Sequence, residues 1–178
     1  TLMEGDTAPE VTTTLKNLEN KSNPWGMAMG ERGLWMVEEL GVKLMSEAGE
    51  VDYLFYLGCS GAFDDRNKKV VAAVAKLLQK AGVTFGILGP EEGCCGDSAR
   101  RLGNEYLFQM QAAQNIEVFK QYKFRKILTT CPHGYNTIKN EYPQFGGNFE
   151  VVHHTELLAE LIRDGRLTLP AHGEPLRV

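Results

Sequence analysis

The sequence alternates short apolar runs with longer segments of helical periodicity, and this alternation constrains the possible folds most strongly. Residues 53–57 form a continuous apolar run, which is typical of a strand buried on both faces. Residues 83–88, 126–130 and 149–152 have the same character, and a helical pattern follows each run or its turn. Four strand-then-helix units predict a parallel sheet joined by right-handed crossovers. The predicted class is α/β, with about four parallel strands flanked by helices.

Periodicity near the amino terminus predicts a helical extension ahead of this sheet. Residues 8–20 are compatible with a helix, and residues 21–26 contain the Asn, Pro and Gly that break it. Apolar residues recur at close to a 3.6-residue period over residues 31–45, which predicts a second, amphipathic helix. We expect residues 1–49 to form the N-terminal helical extension.

A long helix is predicted after the first strand. Asp64 and Asp65 stand at its start, where carboxylates complement the helix dipole, and Gly82 is expected to cap its end. The following five apolar residues are predicted to form its buried stripe: Val70, Val74, Leu77, Leu78 and Ala81.

Two further helical regions complete the pattern. Asp97 or Ser98 is predicted to cap a region that continues through Tyr122, and Gly103 is expected to interrupt it. Thr155 is predicted to start the last helix. The apolar residues of that helix are Leu157, Leu158, Leu161 and Ile162.

Composition limits the compartment and the partners. A length of 178 residues suits one α/β domain, and the net charge of -4 provides no basic surface for nucleic acid. The apolar runs are far shorter than the roughly 20 residues of a membrane helix. The first six residues are too acidic for a secretory signal. Four cysteines without such a signal favour a reducing, cytoplasmic location, where grouped thiols are more often metal ligands or redox groups than disulfides.

The four cysteines occur in three loops that follow predicted strands. Cys59 follows the first strand, the adjacent pair Cys94 and Cys95 follows the second, and Cys131 follows the third. About one helix plus one strand separates successive loops. Because the carboxyl ends of parallel strands meet at one edge, we expect the four thiols to form a common site for a metal or a cluster.

Several kinds of site are compatible with these thiols. One possibility is that the four cysteines are unrelated core residues. The glycines that flank the adjacent pair argue against this, because glycine allows close approach of the backbone to a ligand. A structural zinc site, which would stabilise a non-catalytic interaction domain, is another, although zinc ligands usually pair at spacings of two to four residues. A thiol-disulfide module using Cys94 and Cys95 is a third, weakened by the strain of a disulfide between neighbours. An iron-sulfur cluster is favoured, because neighbouring thiolates can bind different iron atoms.

Several motifs in order carry a family resemblance. They are Gly58-Cys59, Glu92-Gly93-Cys94-Cys95-Gly96, Arg101-Leu102-Gly103-Asn104-Glu105, Thr130-Cys131-Pro132-His133 and His153-His154-Thr155-Glu156-Leu157-Leu158. Residues 50–165 resemble the cysteine-rich CCG domain. That domain occurs in the cysteine-rich component of heterodisulfide reductase and in iron-sulfur reductases that link electron-transfer flavoprotein to quinone.

The resemblance implies a 4Fe-4S cluster held by Cys59, Cys94, Cys95 and Cys131. The family pattern has a fifth cysteine where this sequence has Gly134, and in heterodisulfide reductase five cysteines hold a non-cubane cluster. Four thiolates suffice for an ordinary cubane, so the cubane and non-cubane types both stay open. His133 has two interpretations, as a cofactor-binding residue beside the cluster and as a cap of the following helix.

The resemblance also implies a function. We expect an electron-transfer domain, part of a larger oxidoreductase, between a ferredoxin-like or flavoprotein donor and a quinone or disulfide acceptor. Residues 166–178 are interpreted as a linker. The expected partners are a ferredoxin-like cluster domain, a second CCG repeat on the same or another chain, electron-transfer flavoprotein and quinone. The apolar segment 25–36 suits packing on the sheet or docking, including peripheral association with the cytoplasmic face of a membrane.

Overall fold

A computed structural model describes residues 8–169, and its four strands form one parallel sheet. The strands are β1 (Val51–Tyr56), β2 (Phe85–Gly86), β3 (Phe124–Thr129) and β4 (Val151–His153), in the spatial order β2-β1-β3-β4. Every pairing between these neighbours is parallel. The predicted α/β class and parallel sheet are confirmed.

Helices precede the sheet and connect its strands. In chain order they are α1 (Pro9–Lys21), α2 (Leu34–Leu40), α3 (Met45–Ala48), α4 (Gly58–Phe63), α5 (Asp65–Lys80), α6 (Asp97–Arg101), α7 (Glu105–Lys120), α8 (Pro132–Asn136) and α9 (His154–Arg163). Three 3-10 turns, Met29–Glu31, Gly89–Glu91 and Tyr142–Phe145, and a π-helical turn, Thr137–Glu141, lie between them.

The two faces of the sheet bury separate apolar clusters. Successive side chains of a strand point to opposite faces. Leu54 and Tyr56 of β1 therefore pack on one face with α1 and α7, while Phe55 and Leu57 pack on the other with α2, α5 and α9. All four side chains are fully buried. Burial on both faces explains why this strand is a continuous apolar run rather than an alternating one.

The predicted second strand is shorter than expected. Only Phe85 and Gly86 pair with β1, and Ile87 forms an isolated parallel bridge with Leu44. The chain then turns at Gly89, whose φ of +61° is in the region that favours glycine. An added Cβ there would lie 2.7 Å from Leu44 Cδ2, so this position also requires a residue without a side chain.

The prediction of a single amphipathic helix over residues 31–45 is wrong. The segment contains α2, which ends at Gly41 with φ of +64°, and then an extended stretch before α3. The amide of Met45 donates to Ile87 O and the amide of Ile87 donates to Lys43 O. Backbone pairing with the edge of the sheet therefore replaces the helical hydrogen bonds that the apolar period suggested.

The apolar segment 25–36 divides between the core and the surface. Met36 is fully buried on the α5 face, as predicted for packing on the sheet. Trp25 and Met27 are 53% and 43% exposed. Among residues 8–169, no helix combines the length and the apolar character needed to cross a bilayer.

The helix-start and helix-end predictions are mostly confirmed. Asp64 caps α5 by accepting a hydrogen bond from Asn67 N at 2.9 Å, and Gly82 follows its end with φ of +66°. Gly103 separates α6 from α7 as expected. The prediction for α6 is wrong, because Gly96, with φ of +89°, is its capping residue and Asp97 is its first helical residue. The last helix starts at His154, one residue before the predicted Thr155.

The domain division at residues 49 and 50 stays a prediction, although the two parts share a core. Leu18 of α1 and Met36 of α2 are buried against the sheet. Residues 170–178 of the predicted linker, and residues 1–7 of the predicted extension, lie outside the described residues.

The predicted buried stripe of α5 is partly wrong. The structure buries Val71, Val74, Ala75 and Leu78. Val70 and Leu77, by contrast, are 41% and 37% exposed. The helix is rotated by about one residue from the predicted position, which is a small error in a repeat of 3.6 residues.

This rotation generates a test with two neighbouring leucines of α5. Leu78→Ala should lower the free energy of unfolding by about 2 to 5 kcal/mol, because it opens a cavity in the core. Leu77→Ala should lower it by about 1 kcal/mol or less, because that side chain is partly in solvent. Urea unfolding measures both. Equal losses, or a larger loss for Leu77→Ala, would contradict the described helix face.

Candidate metal centre

The structure brings all four cysteines to the carboxyl edge of the sheet. Cys59 lies in the first turn of α4 after β1, and Cys131 follows β3 as the capping residue of α8. Cys94 and Cys95 lie between the 3-10 turn after β2 and α6. All four line one cavity of about 320 Å³, and none forms a disulfide.

The loops are in direct contact. The thiol of Cys94 lies close enough to the thiols of Cys59 and Cys95 for both to shift its pKa. A Cβ added at Gly58 would lie 3.5 Å from Cys131 Cβ, so the first and third loops also meet. The carboxyl ends of three adjacent strands therefore place the predicted residues together.

The environment of the thiols disfavours free thiolates. The neighbouring Cys94 thiol, and then burial, raise the pKa of Cys59 well above its usual value. At Cys94 the Cys59 thiol lowers the pKa, but the Cys95 thiol and burial outweigh this effect and raise the pKa to about 12. Burial raises the pKa of Cys131, although hydrogen bonds from the backbone amides of Gly134 and His133 act to lower it. Metal binding at these thiols would therefore release protons.

The loop of the adjacent pair is held by a buried asparagine. Asn115 on α7 accepts a hydrogen bond from Gly93 N at 3.1 Å and donates to Cys94 O at 2.7 Å. The same Nδ2 donates to Tyr142 Oη at 3.0 Å, and that hydroxyl donates to Cys95 O at 3.1 Å. Asn115 is 1% exposed and Tyr142 is fully buried. The backbone around both cysteines is therefore fixed by side chains from beneath.

The glycines that flank the pair allow close packing of the loop against core side chains. A Cβ at Gly93 would lie 2.7 Å from Asn115 Oδ1, and one at Gly96 would lie 2.6 Å from Phe108 Cδ2. Both distances are too short for a Cβ contact, so a side chain at either position would force its neighbour to move. The loop therefore needs glycine on both sides of Cys94 and Cys95.

Glu92 is a second buried anchor of the cysteine loops. Its carboxylate is fully buried and accepts hydrogen bonds from Leu57 N at 2.7 Å and Gly58 N at 2.9 Å. These amides precede Cys59, so Glu92 fixes the turn that carries that thiol. Burial raises the pKa of Glu92, opposed by the Arg32 guanidinium and the two amides.

Arg32 is a site residue that the sequence did not reveal. Its side chain is fully buried and pairs with Glu92 Oε1 at 3.1 Å. Burial lowers the pKa of Arg32, but Glu92 and Cys59 outweigh this effect and raise it above its ordinary value, so the guanidinium stays charged. Residues 30–33 read Gly-Glu-Arg-Gly, and no periodic or spacing signal distinguishes this arginine from an exposed one.

Ser22 also comes from the segment ahead of the sheet. It adopts the left-handed region with φ of +52°, which ends α1, and its Oγ accepts a hydrogen bond from Cys94 N at 2.9 Å. Its carbonyl oxygen lies 3.5 Å from Cys59 Sγ. The predicted N-terminal extension therefore contributes directly to the cysteine loops.

The histidines occupy different positions relative to the cavity. His133 is exposed, lines the cavity and places Nδ1 4.0 Å from Cys131 Sγ. His153 caps α9, and its Nε2 lies 3.2 Å from Thr130 O. The structure therefore places only His133 of this pair beside a cysteine sulfur.

The arginines beside the pair are occupied by carboxylates. Arg100 contacts Glu105 and Glu141, and Arg101 contacts Asp97 and Glu141. These ion pairs tie α6 to neighbouring elements. Neither arginine provides a free charge at the thiols.

The arrangement of donors bears on the kind of metal group. Among residues 8–169, no three or more His, Cys, Asp or Glu side chains are placed to hold a single metal ion. The zinc alternative therefore has no support from the geometry. Four thiols around one cavity fit a larger group better, because the thiolates can bind different iron atoms of a cluster.

Comparison with known proteins agrees with the family suggested by the motifs. Residues 53–139 match the family model described as CCG, a cysteine-rich domain. This segment is a CCG domain. The resemblance predicted from the sequence is thereby confirmed, and the match contains all four cysteines.

Curated relatives carry similar sequence around the CCG domain. The chain is 52% identical to EtfAB:quinone oxidoreductase of Syntrophomonas wolfei over 93% of its length and 24% of that protein. It is 45% identical to the probable iron-sulfur-binding oxidoreductase FadF of Bacillus subtilis over 96% of its length and 25% of that protein.

A more distant relative is a heterodisulfide reductase component. The chain is 32% identical to a component of the dihydromethanophenazine:CoB--CoM heterodisulfide reductase of Methanosarcina mazei, over 82% of the chain and 35% of that protein. The chain thus spans about a quarter to a third of the length of these relatives. No solved structure matches the chain.

The anchoring role of Asn115 in the CCG domain can be measured. Asn115→Ala should lower the free energy of unfolding by at least about 2 kcal/mol, because each buried group left unpaired costs about 1 to 3 kcal/mol. Gln109→Ala, on the exposed face of the same helix, should change it by about 0.5 kcal/mol or less. Chemical unfolding compares the two variants. If Asn115→Ala is as mild as its control, the asparagine does not hold the cysteine loop.

Proposed function

We propose that this chain is the iron-sulfur electron-transfer domain of a larger oxidoreductase. The observation that carries the proposal is the cavity at the carboxyl edge of the sheet, which four cysteines from three loops line together. Its relatives include proteins named as a quinone oxidoreductase and as an iron-sulfur-binding oxidoreductase. Cluster binding by thiolates and electron transfer fit both the cavity and these names.

In this proposal Cys59, Cys94, Cys95 and Cys131 are the cluster ligands. A bound cluster would accept one electron and pass it on. Four thiolates match a 4Fe-4S cluster, although a 2Fe-2S cluster uses the same number. We propose the 4Fe-4S type, and Mössbauer spectroscopy would separate its cubane and non-cubane forms. His133, at the rim, is proposed to contact the cofactor or the ligand sulfur of Cys131.

The chain's own residues would shape the electron-transfer properties. Side chains beneath the loops fix the ligand sulfurs, and burial limits solvent access, which together tune the potential of a cluster. Burial is greatest at Cys94, which is 3% exposed. Cys59, Cys95 and Cys131 are partly exposed and would lie nearer to a partner at the cavity mouth.

The partners are proposed from the relatives and the family resemblance. The donor would be a ferredoxin-like cluster domain or electron-transfer flavoprotein, and the acceptor a quinone or a disulfide. A second CCG repeat, on the same or another chain, and a position at the cytoplasmic face of a membrane belong to the same proposal. So does the division into an extension (1–49), a CCG domain (50–165) and a linker (166–178).

Metal analysis tests the cofactor. Protein purified without oxygen should contain iron and acid-labile sulfide and absorb broadly near ~400 nm, as thiolate-bound clusters do. Cys131→Ser should remove most of the iron, because it removes one of the chain's four thiolates. Ser60→Ala, which alters a cavity residue without a thiol, should retain it. Stoichiometric zinc without sulfide, or iron that Cys131→Ser leaves unchanged, would contradict the proposal.

Gly134 allows a second test of the ligand assignment. It lies in α8 outside the left-handed region, and an added Cβ would lie 3.5 Å from Tyr56 Cε1 and 3.7 Å from Thr129 Oγ1, which are ordinary contacts. A side chain therefore fits at this cavity-lining position. Gly134→Cys should increase the retention of iron in air or change the cluster spectrum, because it adds a thiol beside the others.

The matched control for this variant is a thiol placed elsewhere. Gly30 lies in the 3-10 turn Met29–Glu31, and a Cβ added there would meet no other atom within 4 Å, so Gly30→Cys adds a cysteine without crowding. Its spectrum and iron retention should equal those of the parent chain. If Gly134→Cys behaves like Gly30→Cys, position 134 does not face the cluster.

A further inference from the structure

A buried cation touches one of the proposed ligand sulfurs. Arg32 Nη2 donates a hydrogen bond to Cys59 Sγ at 3.4 Å, and the arginine side chain is fully buried. We propose that Arg32 is a positioning residue that orients Cys59 and raises the reduction potential of the site through its charge. This inference rests on the proposed function, because it concerns the same thiolates.

Every part of the guanidinium has a partner in a different segment. Nε pairs with Glu92 Oε1 at 3.1 Å, Nη1 donates to Ser22 O at 3.1 Å, and Nη2 reaches Cys59. The ring of Phe63 packs 5.7 Å from the guanidinium carbon. The planar fork is thus fixed in three directions, which a flexible lysine could not reproduce.

The ion pair has a definite orientation. Glu92 directs its carboxylate to the amides of Leu57 and Gly58 as well as to Arg32, whereas the other side of the arginine faces Cys59. The positive end of the pair therefore lies against the sulfur. Glu92 acts on Cys59 indirectly, because it fixes the backbone that precedes this cysteine.

Stability alone does not account for this pair. A buried ion pair is often no more stabilising than apolar residues of the same volume, because both charges lose their hydration. A function for the charge would be to offset the negative thiolates that a cluster brings into the cavity. Arg100 and Arg101, which lie closer in sequence to the cysteine pair, are engaged by Glu105, Glu141 and Asp97 instead.

The effect on the potential follows from charge. Reduction adds one electron, and so one negative charge, to the cluster and its thiolates, with no bond made or broken in the protein. A cation next to a ligand sulfur stabilises that added charge, and the attraction is strong where water is excluded. Arg32 should therefore favour the reduced form and raise the potential.

The test uses two substitutions with opposite expected signs in the full chain. Arg32→Met removes the cation and should lower the midpoint potential, with at least a tenfold change in the reduction equilibrium, equivalent to about 59 mV for one electron. Glu92→Gln removes the opposing charge in a side chain of the same shape and should raise the potential. Arg32→Lys keeps the charge, and its midpoint potential should lie between those of the parent chain and Arg32→Met.

Redox titration with dithionite, followed by absorbance and electron paramagnetic resonance, measures these potentials. Arg125→Met is the matched control, because it removes an exposed arginine near the amino end of β3, and it should leave the potential unchanged. Shifts of Arg32→Met and Glu92→Gln in the same direction, or no larger than that of the control, would overturn the proposal. If Arg32→Met does not hold iron, the directions in which Glu92→Gln and Arg32→Lys shift the midpoint potential decide whether the proposal stands.

The two proposals fail in different ways. Parent protein without iron and sulfide would contradict the proposed function itself. A parent protein that holds a cluster, with variants whose potentials do not separate as described, would contradict only the role of Arg32.

Discussion

The parallel pairing of β1 with β3 is the constraint on which the site depends. Their register runs from Val51 beside Phe124 to Tyr56 beside Thr129, so both strands end at the same level. The chain can leave parallel strands only at one edge, and the residues that follow must share that edge. The cysteine loops after these two strands are consequently neighbours, and the loop after β2 joins them because β2 lies on the other side of β1. Any ligand that bridges the loops also ties three crossover units together.

The loops themselves are irregular, and buried polar side chains hold them. Asn115 satisfies the backbone beside the cysteine pair, and Glu92 satisfies the amides before Cys59. Such groups stabilise only when every polar atom has a partner, since an unpaired buried group costs about 1 to 3 kcal/mol. Arg32 donates a further hydrogen bond to the Glu92 carboxylate and another to the sulfur of Cys59. The segment ahead of the sheet is therefore needed to complete a site whose thiols all lie in loops that follow strands of the sheet.

The strands and the cysteine edge could be predicted because their signals are local: apolar runs, glycine-flanked cysteines and regular spacing. Finer features depend on tertiary contacts that the sequence does not display. The exposed position of Leu77 beside buried Leu78 reflects a small rotation of α5 that periodicity cannot fix. Gly41 ends α2 early because the following backbone pairs with the sheet. Arg32 and Glu92 are 60 residues apart, and the sequence around each of them gives no local sign that the charged side chain is buried.

The most direct measurement of the central claim is the location of iron in crystals grown without oxygen. Anomalous diffraction at the iron edge should place several iron atoms in the cavity between Cys59, Cys94, Cys95 and Cys131. Each thiolate should contact iron, with Arg32 still against the sulfur of Cys59. Iron bound elsewhere, or a single zinc atom between the same sulfurs, would contradict the account.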